Sequence, residues 1–212
     1  IITEAMERCG IAPEKINMAL LESARRSLNL LFRSWDNRGP HGWAQDEQST
    51  ALVAADGTYD LAVGTVDVLY VFVRDASSDD RRLSRISRAD WAGYTNKDAT
   101  SSSGPSVYFV DRLTGTPVIT VWPALATGGG ALTLRYIRLV QLADVSGTYT
   151  QTVDAAARGL EAVVSGLAAA MALKFAPDKF DTLERLAKEQ YAIMASEDKE
   201  RLPIRLMPTW GR

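Results

Sequence analysis

The sequence predicts an α+β fold: a helical bundle built from both ends of the chain, an inserted antiparallel β module, and an extended C-terminal arm. Three observations carry this reading. Apolar residues recur every three or four positions from Ile1 to about Arg38 and again from Val153. They alternate with polar ones from about Glu47 to Gly147, where turn residues become frequent. Pro203 and Pro208 then forbid a regular helix in the final segment.

The first helix runs over Thr3 to Cys9 and stops at Gly10, a residue suited to a C-terminal cap. Pro13 opens a second, longer helix. Ile16, Leu20, Ala24, Leu28, Leu31 and Trp35 form its apolar stripe, and Glu22, Arg25, Arg26, Asn29 and Arg33 take the other face. Gly39 and Pro40 end it.

In the β region Val66 to Val73 is apolar on both faces, which predicts a central or covered strand. Val107 to Val110, Val118 to Trp122 and Leu132 to Ile137 follow, with Leu132, Leu134 and Tyr136 facing one way and Thr133 and Arg135 the other. Turn signals at Asp56-Gly57, Thr114 to Pro117 and Gly128 to Gly130 separate the strands. A short helix over Ser87 to Tyr94 interrupts the module, because Ser87 and Asp90 have the spacing of a capping box. The polar loops Ala76 to Arg82 and Tyr94 to Pro105 are longer than simple turns require, so they are either idle and mobile or ordered at a contact.

From Val153 a helix carries the stripe Val153, Ala157, Leu160, Val164, Leu167, Met171 and Phe175. Its flanks are mostly Ala and Gly, which predicts a helix surrounded on most sides. Pro177 breaks it and Asp178 caps the next, whose narrower stripe is Phe180, Leu183, Ala187, Tyr191 and Met194. The predicted domains are residues 1–46, 47–150, 151–200 and the arm 201–212.

Composition narrows the chemistry. The 212 residues are 46% hydrophobic and 24% charged, which supports a buried core and not disorder. Lys and Arg number 24 against 26 Asp and Glu, so the basic surplus of a phosphate-gripping protein is absent. One cysteine (Cys9) and one histidine (His41) leave no set for a thiolate zinc site, a disulfide framework or a Cys-His pair. The longest apolar stretch, Ala162 to Leu173, is too short for a bilayer, which needs roughly 20 residues. The first residues already show helical periodicity, so no signal peptide is expected, and the expected setting is a reducing cytoplasm or an assembly made there.

Each candidate for chemistry has a plainer reading. His41 sits in a turn-rich link without a second imidazole. Ser101 to Ser103 lack the Gly-x-Ser-x-Gly frame, and Gly128 to Gly130 are followed by Ala131 and Leu132 rather than the Lys and Ser/Thr of a phosphate loop. Glu4 with Glu7, or Asp79 with Asp80, could form an acid/base pair, yet such pairs are common on solvated surfaces. Tyr108, Phe109 and Arg112 come nearest to a single-strand nucleic-acid platform, although strand aromatics more often belong to a core. No catalytic, cofactor or metal residue is assigned. What remains are surfaces, above all the apolar tail, which either folds back on its own bundle or lies on a neighbouring molecule.

The Leu-rich stripe Leu28, Leu30, Leu31 and Phe32 runs into Trp35, then Gly39, Gly42 and Trp43. The β module then carries Tyr59-Asp60-Leu61, Asp67-Val68-Leu69, Leu83 to Ser87, Gly104-Pro105, Tyr108-Phe109, Trp122-Pro123 and Leu134-Arg135-Tyr136, before an Ala-rich helical end. This combination resembles the head-to-tail adaptors of short-tailed bacteriophages (podoviruses), the tail tubular protein A-like and packaged-DNA-stabilising adaptors. The resemblance implies a non-enzymatic structural protein of the virion neck, assembled in the host cytoplasm, with no cofactor. It implies a twelvefold ring of copies between portal protein and tail nozzle, through which DNA passes without specific binding, with no membrane partner. Leu202, Pro203, Ile204, Arg205, Leu206, Met207, Pro208 and Trp210 would then contact the portal or a neighbouring subunit. Trp35, Gly39, Gly42 and Trp43 carry over only as structural landmarks where helix meets β module. Another neck or tail-completion protein of a phage-like particle, or a tail-borne cell-wall hydrolase or glycan-binding module, are the alternatives.

Overall fold

A computed structural model describes residues 1–38, 42–113, 115–128, 130–146 and 153–197. In chain order its elements are α1 (Ile2–Arg8), α2 (Met18–Asp36), β1 (Gln45–Ala51), β2 (Thr58–Asp60), β3 (Thr65–Arg74), β4 (Asp80–Arg82) and β5 (Ser84–Arg85). Then come α3 (Arg88–Gly93), β6 (Thr100–Ser101), β7 (Val107–Asp111), β8 (Val118–Trp122), β9 (Ala124–Leu125), β10 (Thr133–Val140), α4 (Leu160–Phe175) and α5 (Phe180–Glu197). The chain is α+β, and it divides into two compact units. Among described residues, one unit holds 1–34, 42–43, 144–146 and 153–197, and the other holds 35–38, 44–113, 115–128 and 130–143.

In the helical unit α4 is buried on nearly every side: residues from Ala162 to Ala169, Met171 and Ala172 are all enclosed. Small side chains make this possible, because they let neighbouring helices approach the α4 backbone. A Cβ on Gly166 would lie 2.8 Å from Leu31 Cδ2 of α2. The Lys174 ammonium donates to Ser27 Oγ of α2 at 2.7 Å, and the Cys9 thiol just beyond α1 donates to the Ala168 carbonyl at 3.2 Å. α5 lies along α4, with Leu183 and Met194 buried. Gly10 has φ +86°, as its expected role after α1 requires.

Three helix starts differ from the sequence reading, one of them at α5, where Asp178 sits inside the 3-10 turn Pro177–Lys179 and the helix begins at Phe180. Pro13 opens only a 3-10 turn, Pro13–Lys15; the helix begins at Met18, where Asn17 Oδ1 accepts from the Leu20 N–H at 3.0 Å. A fixed φ at proline does not satisfy the first free N–H groups, and an Asn side chain does. Likewise Val153 and Ala157 precede α4, which starts at Leu160 after the 3-10 turn Ala157–Gly159. The polar face assigned to α2 is also partly engaged, since Arg33 pairs with Asp144 at 2.8 Å and Asn29 Oδ1 accepts from the Val145 N–H at 3.0 Å.

The β unit contains a four-stranded sheet of order β1-β10-β3-β4, a second of order β2-β8-β7-β5, and the small pair β6-β9. Pairing is antiparallel except for the two-residue contacts β5 with β7 and β6 with β9, which are parallel. Val68, Val71, Val73, Leu134 and Tyr136 from the first sheet and Tyr59, Tyr108, Ile119 and Val121 from the second meet in one core. β3 is internal to its sheet, as expected, but only one of its faces is covered, and Tyr70 is 42% exposed. The register shift opposite Ile137 and Arg138 explains the doubly apolar appearance. Val71 and Val73 point inward, the strand slips by one residue at Leu69, and Val68 points inward again.

Candidate assembly surfaces

The outer face of the first sheet is an open surface built by strand alternation. Tyr70 and Phe72 of β3 and Ile137 of β10 form its apolar centre, and the Arg82 guanidinium lies 4.6 Å over the Tyr70 ring. Charged residues border it. Arg74 holds Asp80 through two bonds of 2.7 and 2.6 Å, and Arg135 reaches both Glu47 and Asp80. The Arg74 bonds hold the Asp80 carboxyl below the usual carboxylate range.

On the inner side Arg138 is buried, 8% exposed. It donates to Asp46 at 2.9 Å, to the Ala62 and Val63 carbonyls at 3.2 and 3.0 Å, and to Thr65 Oγ1 at 3.0 Å. These bonds tie β1 and β10 to the turn before β3, so the guanidinium is a structural tie. Hydrogen bonds from Gln48 first, and from Arg138 next, hold the Asp46 carboxyl low.

The polar loops are ordered on their own chain. Asp80–Arg82, within the segment read as a loop, is the strand β4. The capping box at Ser87 is formed in both directions, Ser87 Oγ accepting from the Asp90 N–H at 3.0 Å and Asp90 Oδ2 from the Ser87 N–H at 3.1 Å. α3 thereby holds Trp91 5.4 Å from Phe109, while Tyr94 stacks on Trp122 at 4.5 Å and the Trp122 indole donates to the Asn96 carbonyl at 2.9 Å. Pattern reading missed this aromatic cluster, although the capping box beside Trp91 and Tyr94 was its signal.

The remaining sequence candidates resolve individually. Tyr108 and Phe109 are buried, and Arg112 pairs with Asp67, which also binds Arg85 at 2.9 Å, so no stacking platform is formed there. Glu4 pairs with Arg8 at 3.0 Å; Arg8 also binds Glu161 at 2.6 Å and Ser165 Oγ at 2.9 Å. The Arg8 bond keeps the Glu161 carboxyl low, and burial pushes the Cys9 thiol up, away from the thiolate form. Among the described residues no group of three or more His, Cys, Asp or Glu could hold a metal ion. No described helix is long and apolar enough to cross a membrane.

Of the landmark residues, Trp35 is buried at 2% exposure, and Gly42 opens a 3-10 turn ending at Ala44. Trp43 in that turn is half-buried, with the Arg158 guanidinium 5.7 Å over its ring. Gly39, His41 and the arm residues Leu202 to Trp210 lie outside the described residues. In the helical unit Ile2, Leu21, Leu28, Val145, Val153 and Leu160 line an apolar cleft of about 550 Å³.

Fold and surfaces together define an α+β protein with an open outer face on its first sheet and internally paired charges. The chain belongs to the SU10 adaptor protein family, whose model matches residues 2–206. That is a phage head-to-tail adaptor family, so the protein is a structural component of the virion neck that interacts with other neck proteins. No curated protein matches the chain.

Proposed function

We propose that the protein forms a ring between the portal and the tail nozzle of a short-tailed phage, extending the DNA channel and helping to retain packaged DNA. Twelve copies form the ring, and the function is mechanical, without catalysis. The family match over residues 2–206 carries this reading. Charge pairing supports it. Arg74, Arg85, Arg88, Arg112, Arg135 and Arg138 are all engaged by carboxylates of their own chain. A wall that DNA must slide past gains from such neutralisation, because each phosphate contact adds salt-dependent affinity.

The helices of the two chain ends act as one bundle, supported by the Arg8–Glu161 and Lys174–Ser27 bonds across them. The apolar arm, with Leu202, Ile204, Leu206, Met207 and Trp210, docks on the portal or a neighbouring subunit. Deleting Leu202 to Arg212 tests this: the shortened chain keeps its circular-dichroism spectrum and melting temperature but no longer attaches to portal-capped particles. Unfolding on deletion, or unchanged attachment, would refute it.

A further inference from the structure

One sheet edge differs from the others. β4, β2 and β5, at the remaining ends of the two four-stranded sheets, are three, three and two residues long, but β1 has seven. Its ladder fixes which backbone groups are free. The Leu52 N–H donates to the Leu132 carbonyl at 2.9 Å, and the register Ala51↔Thr133 to Gln45↔Leu139 continues without a shift. Residues 46, 48 and 50 therefore exchange bonds with β10, and Gln45, Glu47, Ser49 and Ala51 aim their N–H and C=O groups away from the sheet. Among the described residues no backbone group takes them up.

Native proteins usually shorten, bulge or charge such an edge, most often with lysine, or place proline on it. β1, Gln-Asp-Glu-Gln-Ser-Thr-Ala, has no bulge, lysine or proline, and its charges are the acidic Asp46 and Glu47. A strand left in this state is suited to strand addition.

We propose that the β1 edge of one copy receives the C-terminal arm of a second copy as an added strand. The arm fits in length and charge. Pro203 and Pro208 bracket the proline-free run Ile204-Arg205-Leu206-Met207, which fits within the seven-residue edge and pairs with four successive residues of β1, two of them outward-facing. Residues 201–212 carry Arg201, Arg205 and Arg212 and no Asp or Glu, the complement of Glu47, whose carboxylate stays half-exposed beside Arg135. Arm on edge is a head-to-tail contact, the kind that closes a ring. This rests on the proposed ring and selects the neighbouring subunit as the arm's seat.

The test uses the full chain and a fluorescent peptide of residues 201–212. Polarisation should show saturable binding. Ser49→Pro should weaken it at least about tenfold, because its ring blocks the outward edge while position 49 donates nothing to β10. Arg205→Pro in the peptide should do the same against the unchanged chain, which covers the case in which Ser49→Pro fails to fold. No binding at millimolar peptide, or equal binding by either variant, overturns the proposal. If arm deletion still abolishes portal attachment while the peptide ignores β1, the edge assignment fails and the ring reading stands.

Discussion

Arg8 in the helical unit and Arg138 in the β unit make similar sets of bonds at very different depths. Arg138 keeps 10% of its side chain exposed and donates to Asp46, two carbonyls and a hydroxyl, whereas Arg8 keeps 24% and binds half-exposed glutamates. The helical unit rests on close approach of small apolar residues, with ion pairs at its margin. The β unit places an ionic tie inside.

The largest expected effect follows from that difference. Arg138→Met should cost about 3 kcal/mol in urea denaturation, since it removes the buried guanidinium that pairs with Asp46 and binds the Val63 carbonyl. Arg8→Met should cost under about 1 kcal/mol, because water replaces the lost bonds. Equal costs would erase the distinction. Next in size, Ala168→Leu should destabilise by about 1–3 kcal/mol, because its position on α4 is fully buried. A neutral result would mean that α4 is not closely surrounded.

Acid should act more mildly. Glu161 is held low by Arg8, and Asp80 by Arg74, so their folded pKa values lie below the unfolded ones. Their stabilisation is present above the ordinary carboxylate range, near ~4, and is lost as pH falls through the folded values. Urea midpoints measured from pH 6 downward should therefore decline below about pH 4, with a shallower decline in Glu161→Gln. An identical slope in the variant would remove Glu161 from the account.

Periodicity made most elements legible, because burial imposes it directly: β8 falls on Val118–Trp122 and α3 has the capping box read from Ser87 and Asp90. The starts of α2 and α4 were not legible, since Ile16, just past one 3-10 turn, and Ala157, within the other, keep the apolar spacing of the helices that follow. Arg138 was readable in principle. It continues the inward series Leu134, Tyr136, but an arginine in that series looks like a strand ending. The β1 edge was hidden because neither its register nor its place at the end of a sheet is written in its own seven residues. Chemistry read from Tyr108 and Phe109 dissolved because Tyr108 faces the core and Phe109, on the opposite face of β7, is buried against Trp91.

We propose that this protein works by fitting against copies of itself and the portal. The most direct measurement is the mass of the full chain with and without purified portal. The account predicts a portal-bound complex carrying a closed set of copies, twelve per portal ring. A chain that stays a single subunit whether or not portal is present would contradict it.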